Sequence, residues 1–196
     1  MANFNLFSSS FVPGYINFSV PDAMLIAFFV YLIFRFTAYR KKGAKKKKYL
    51  GYLFVYVGAL AALTLFPIRS FSSLDAIIGG LWYNLTNVQI IPFATIRSMI
   101  RNAMAAGQYT LMLYNLAGNL LMLMPLGYIY PKLRGSARTG QVFTTALLTS
   151  SLIEAYQYVG GIFGFSHRNV NIDDIILNVV GCVLFYWICR LFKWVK

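Results

Sequence analysis

Two sets of polar residues in the last quarter of the chain share a spacing that could support chemistry. Ser150, Glu154 and Gln157 lie at i, i+4 and i+7, as do Asp174, Asn178 and Gly181, so on helices each set falls on one face. A carboxylate flanked by hydroxyl and amide groups can accept hydrogen bonds from a ligand's hydroxyl or amide. It can also serve as a general base or ligate a hard cation. The setting makes the pattern notable, because the chain of 196 residues has only five acids: Asp22, Asp75, Glu154, Asp173 and Asp174. Two more amides, Asn115 and Asn119, stand four apart in YNLAGNLLMLMPLG. Arg168 and the single histidine, His167, adjoin each other just before the paired aspartates. Glu154, Asp173, Asp174 and His167 are the available ligands for a hard divalent ion or zinc. No helical H-x-x-E-type pairing supports such a site, and none is assigned. The sequence leaves the question of a cofactor open.

The elements that must position these residues are membrane helices. The sequence is 59% hydrophobic, 17% aromatic and only 12% charged, with a mean hydropathy of +0.62. A charged fraction that small cannot coat a soluble globule. Apolar runs of about 20 residues recur, the length that crosses a hydrocarbon core of ~30 Å. Five spans are read, at residues 21–39, 49–67, 110–130, 141–159 and 172–192. The expected fold class is therefore all-α, a polytopic membrane helix bundle of five predicted transmembrane helices plus an outer amphipathic segment. Residues 1–48 form an N-terminal span with a basic loop, and residues 49–196 a single bundle. Pro125 and Pro131 allow the third span to kink or end, since proline removes a backbone donor.

The net charge of +13 would suggest nucleic acid in a soluble protein. Here seven of eighteen basic residues lie in RKKGAKKKK, residues 40–48, between two apolar runs. Such a cluster marks a cytoplasmic loop and attracts anionic headgroups, and no nucleic-acid partner is expected. With the N-terminus outside and the C-terminus cytoplasmic, inner segments hold thirteen basic residues. The outer ones hold four: Arg69, Arg97, Arg101 and Arg168. No positively charged leader precedes the first span, which is read as retained. Cys182 and Cys189 stand about 10 Å apart on one helix, too far to bridge.

Residues 69–109 are too long for a simple connection. Arg97 and Arg101 share a helix face there, among Ile96, Met99, Ile100 and Met104, and Trp82 and Tyr83 are typical interface anchors. An amphipathic helix on the outer face is expected, with a re-entrant piece before it; it serves either as a lid or as a passive surface helix.

If the fourth span ends near Gly160, Glu154 lies roughly 9 Å below the outer surface, with Asn178 at comparable depth and Asn119 some 13 Å down. Glu154 is then the deepest acid. Polar side chains inside a span cost on the order of 2.5–3.5 kcal/mol each when charged, so they face the bundle interior and mark a ligand or ion path. The competing account is plain interhelical hydrogen bonding, worth about 0.6 kcal/mol per contact.

Three motifs in order, N-x-x-G-N-x(5)-P-x-G from Asn115, S-x-x-x-E-x-x-Q from Ser150 and R-x(4)-D-D-x-x-x-N-x-x-G from Arg168, resemble the VanZ-like family. The IIPF stretch at residues 90–93 fits as well. The resemblance implies a bacterial plasma-membrane protein associated with resistance to lipoglycopeptides such as teicoplanin. It maps onto Asn115, Asn119, Pro125, Gly127, Glu154, Gln157, Arg168, Asp174, Asn178 and Gly181. Two departures stand out. Asn171 occupies a position where the family often has an acid, which weakens any metal site. Phe185 replaces a glycine that often follows Gly181 by four, which loosens the case for close helix packing there.

These readings combine into an outward-facing pocket that binds an amphiphilic drug or a lipid-linked envelope precursor. Its ligand-binding residues would be Asn115, Asn119, Ser150, Glu154, Gln157, Arg168, Asp173, Asp174 and Asn178. The alternative is an intramembrane enzyme acting on such a precursor, with Glu154 as general base and Asp174 and Arg168 assisting. A small transporter is the third reading; the lack of an internal repeat tells against it.

Overall fold

The structure is a computed structural model that describes residues 10–12, 15–17, 19–37, 43–66, 68–69, 74–107, 109–163 and 170–196. His167 and Arg168 lie outside the described residues. Two compact units divide the chain: Met1–Leu85 with Tyr156–Arg168, and Thr86–Ala155 with Asn169–Lys196.

The first unit is built on a helical hairpin of α1 (Val20–Phe36) and α2 (Ala44–Leu65). Ser19 caps α1: its Oγ accepts from Asp22 N at 3.2 Å and donates to the Asp22 carboxylate at 2.6 Å. Small residues let the two helices close. A Cβ on Gly58 would meet the Ala23 carbonyl and the Ala27 methyl, and Gly51 faces the Tyr31 ring. Tyr31 is buried and donates to the Lys47 carbonyl at 2.6 Å. Because α2 begins at Ala44, Lys45–Lys48 lie on its first turn rather than in a loop. No acidic residue sits in that turn and Gly43 supplies no side-chain cap. Three short strands were not anticipated: β1 (Ser10–Val12), β2 (Tyr15–Asn17) and β3 (Ile68–Arg69) form an antiparallel sheet in that order. The helix α3 (Leu74–Thr86) follows.

The second unit carries α4 (Ala94–Ala106), α5 (Tyr109–Met122), α6 (Met124–Arg134), most of α7 (Thr139–Ile162) and α8 (Ile172–Leu191). The expected third span is thus two helices. The chain breaks at Leu123, and Pro125, which has no N–H to donate, sits in the first turn of α6. α5 and α6 pack on α8 at two points where only glycine fits. A Cβ on Gly181 would run into the Leu120 carbonyl, and one on Gly127 into the Cys182 carbonyl. Close packing therefore survives Phe185, since Gly181 alone admits the neighbouring backbone. Leu123, Val142, Ala146, Cys182, Tyr186 and Cys189 form the buried centre.

The turn between α6 and α7 and the C-terminus meet at one end of this unit. Tyr186 donates to the Ala137 carbonyl at 2.6 Å, Ala137 N donates to the Lys196 carbonyl at 3.2 Å, and Trp187 Nε1 reaches Thr139 Oγ1 at 3.3 Å. Lys132, Arg134, Arg138, Arg190, Lys193 and Lys196 cluster in sequence around that end, while Asp173 and Asp174 occupy the other end of α8.

Among the described residues, three helical stretches are long and apolar enough to cross a membrane: Ala44–Leu65, the α5–α6 pair Tyr109–Arg134, and Ile172–Leu191. α1 has 17 residues, just under the usual span length. α7 has 24, but Glu154, Gln157 and a series of Ser and Thr residues dilute its apolar content. Large apolar side chains point outward along both units, among them Phe29 at 61%, Leu152 at 71% and Trp187 at 52% exposure. Bands of that kind would drive aggregation in water and are expected against lipid.

Candidate functional site

The polar residues of the second unit gather at the N-terminus of α8, and Asn171 is their hub. As N-cap of α8 it adopts an extended backbone, and its Oδ1 accepts from Asp173 N at 3.0 Å. The same oxygen accepts from the Thr95 hydroxyl at 3.1 Å. Its backbone N–H donates to Glu154 Oε2 at 3.0 Å, and its Nδ2 to Asp174 Oδ1 at 3.2 Å. One residue thus ties α4, α7 and α8 together. The loop before it is fixed to the segment ahead of α4: Gln89 N donates to the Val170 carbonyl at 3.0 Å, and Ile172 N to the Gln89 carbonyl at 2.9 Å.

Asp173 turns the other way. It is buried, and both its oxygens face the start of α4. Oδ1 accepts from Phe93 N at 2.5 Å, and Oδ2 accepts from Thr95 N at 2.9 Å and Ile96 N at 3.0 Å. The sequence Pro92-Phe93-Ala94 gives α4 no side-chain cap of its own. Phe93 takes a left-handed conformation at φ 64°, which aims its N–H at the carboxylate. A negative charge there also meets the positive end of the α4 dipole. Asp173 is therefore a cap supplied from another helix, and its three backbone partners make it an anchor for α4.

Asp174 faces α5 instead. Asn119 Nδ2 donates to Asp174 Oδ1 at 2.6 Å, so the Asn119 amide and the Asn171 amide share one carboxylate oxygen. Asn115, one turn earlier on α5, makes no side-chain hydrogen bond among the described residues. One turn further into α8, the buried Asn178 donates from Nδ2 to the buried Ser150 Oγ at 2.9 Å.

Of the residues singled out from the sequence, Asn119, Glu154, Asp173 and Asp174 come together around Asn171, and Ser150 and Asn178 pair beneath them. Gln157 is buried, but it lies on the part of α7 that belongs to the first unit. The relative depths differ from expectation. Glu154 is level with the α8 N-cap rather than with Asn178, because α7 and α8 meet in a register that pairs Ser150 with Asn178. That register is a tertiary property no spacing within one helix reveals. Asn171, Thr95 and the α4 start were not anticipated as partners. Asn171-x-Asp173 does carry an N-cap signature, and a helix start without its own cap is a second signal. Among the described residues, no group of three or more His, Cys, Asp and Glu has the arrangement of a metal site. The chemistry on hand is hydrogen bonding by three carboxylates (Glu154, Asp173 and Asp174), three amides and two hydroxyls.

The long apolar helices and outward apolar bands, together with a polar cluster at one helix end, define a multi-pass helical membrane protein. The profile of the VanZ/LLP1 family matches residues 53–193, and the chain belongs to that family. The match begins in α2 and takes in α3 to α8, so the whole cluster lies inside it. Searches of curated proteins and of solved structures return no match.

Proposed function

We propose that the α8 mouth binds the polar head of an amphiphile at the outer face of a bacterial plasma membrane. The ligand is a lipoglycopeptide of the teicoplanin type or a lipid-linked envelope precursor. The protein crosses five times, with its N-terminus outside and its C-terminus in the cytoplasm. The observation that carries this reading is the convergence of Glu154, Asp174 and Asn119 on Asn171, at the end of α8 opposite its basic terminus. By the positive-inside rule the basic end lies in the cytoplasm, which turns the acidic mouth outward.

Glu154 and Asp174 supply acceptors for the amide and hydroxyl groups of such a head. Asn119 and Asn178 both donate and accept, and Arg168 is assigned to a phosphate or carboxylate. Asp173 holds α4, with Arg97 and Arg101, beside the mouth. An acyl chain would then extend along the apolar helix faces. The basic run at residues 40–48 contacts anionic headgroups of the inner leaflet.

Resistance to teicoplanin tests the reading in cells carrying wild type, Glu154→Gln and Glu154→Ala at matched membrane levels. Glutamine keeps an acceptor for Asn171 N–H and is expected to retain part of the resistance; alanine is expected to abolish it. Loss in both would favour the intramembrane enzyme with Glu154 as base. Full resistance in both would refute the site.

A further inference from the structure

The lower rung of the α7–α8 contact is incomplete. Asn178 is 1% exposed and Ser150 is fully buried, and Asn178 Nδ2 donates to Ser150 Oγ. Among the described residues, Asn178 Oδ1 has no hydrogen-bond partner. The Ser150 hydroxyl is occupied as an acceptor, and its own proton has no acceptor among them either. Its neighbours on α7 behave differently. Thr144, Thr145 and Thr149 each spend their hydroxyl on the carbonyl four residues back. Ser150 keeps its O–H in reserve, one turn from Glu154, beside an amide one turn from Asp174.

Reversing the amide does not close the gap. With Oδ1 and Nδ2 exchanged, the Ser150 O–H could donate to Oδ1, but the amide N–H groups would then lack an acceptor. In either orientation one amide atom of a fully buried residue stays unserved. A buried unsatisfied polar group costs roughly 1–3 kcal/mol, and native structures rarely carry one without an occupant. In a helix pair embedded in lipid, bulk water cannot repair it.

We infer that Ser150 and Asn178 form a binding subsite for one uncharged O–H group, which donates to the amide oxygen and accepts from the serine. An O–H group suits both amide orientations because it is donor and acceptor at once. A metal ion is a poor occupant, since a hard cation needs about six oxygen ligands and the pair offers two. An ammonium or phosphate would bring a charge with no opposite charge on this rung. The hydroxyl comes from one of two sources: a trapped water, or an alcohol of a lipid or glycan head that enters past Glu154 and Asp174. The subsite itself follows from the orphan amide; only the second source rests on the functional reading above.

The test is NMR of the full chain with 15N-labelled asparagine, in nanodiscs of phosphatidylglycerol or of phosphatidic acid. Both lipids are anionic, but only the first has an alcohol in its head. The Asn178 side-chain NH2 is expected to show a cross-peak to a hydroxyl-bearing partner, and Ser150→Ala is expected to reduce it at least threefold. A cross-peak to headgroup glycerol protons, present only in phosphatidylglycerol, identifies the alcohol; one to water in both lipids identifies water. Absence of any such cross-peak in both lipids overturns the inference, as does a cross-peak unchanged by Ser150→Ala. Unimpaired resistance in Glu154→Ala would remove the functional reading and leave the Asn178 result intact, so the two failures are distinguishable.

Discussion

Replacing Asp173 with asparagine should loosen the start of α4 while leaving its shape in place. The carboxylate receives three backbone N–H groups, two on Oδ2 and one on Oδ1, in a buried position. Asparagine keeps a single acceptor oxygen. Its best orientation serves Thr95 and Ile96 and sets an NH2 group against Phe93 N–H, donor against donor. One charge-assisted bond, worth about 1.5–3 kcal/mol, is lost. The two that remain lose their ionic character, and the favourable interaction of a negative charge with the helix N-terminus, about 0.3–1 kcal/mol, disappears. The sum is about 2–4 kcal/mol of local stability. Amide hydrogen exchange in detergent micelles reads this directly. Thr95 and Ile96 should exchange on the order of a hundredfold faster at about 3 kcal/mol, with smaller changes in the middle of α8. Exchange at Thr95 and Ile96 within threefold of wild type would refute the argument that Asp173 is the cap of α4.

Two further substitutions probe the frame around the mouth. Gly181→Ala puts a methyl group into the Leu120 carbonyl and should destabilise the α5–α8 contact by about 1–3 kcal/mol, measured as a lowered midpoint of thermal unfolding. Tyr186→Phe removes the buried bond to the Ala137 carbonyl. It should cost about 1 kcal/mol, with faster exchange confined to the 135–138 turn and the C-terminus.

The long helices were legible because their signal is local: an apolar run of sufficient length, ended by basic residues or proline, fixes a helix to within a few positions, and three of them are long and apolar enough to cross a membrane among the described residues. α8 begins at Ile172 as read, and Pro125 does mark an interruption in the third span. The Arg97–Arg101 helix was legible from a different local signal, two arginines four apart sharing one face among apolar residues. What could not be read is everything that depends on two segments meeting. The strands at residues 10–17 and 68–69 pair over some fifty residues and are too short to leave a pattern. Asp173 and Asp174 look equivalent in sequence, yet adjacent positions on a helix point about 100° apart. One therefore reaches α4 and the other α5. Glu154 had the right neighbours on its own helix and the wrong level against α8. Its depth is set by the Ser150–Asn178 contact, and a one-turn error in register leaves every i, i+4 spacing intact.

The capping of α4 by a distant helix has a consequence for synthesis. Asp173 follows Phe93 by 80 residues and Ile96 by 77. At ~5–20 residues per second, the first turn of α4 is made about 4–16 s before its acceptor exists. Throughout that interval its open N–H groups need water or lipid headgroups, so the segment must wait at the membrane surface rather than in the hydrocarbon. The last helix therefore completes an earlier one. A chain interrupted before residue 173 holds every element through α7 with the start of α4 still unseated, and that turn is where a protease is expected to cut unfinished copies first.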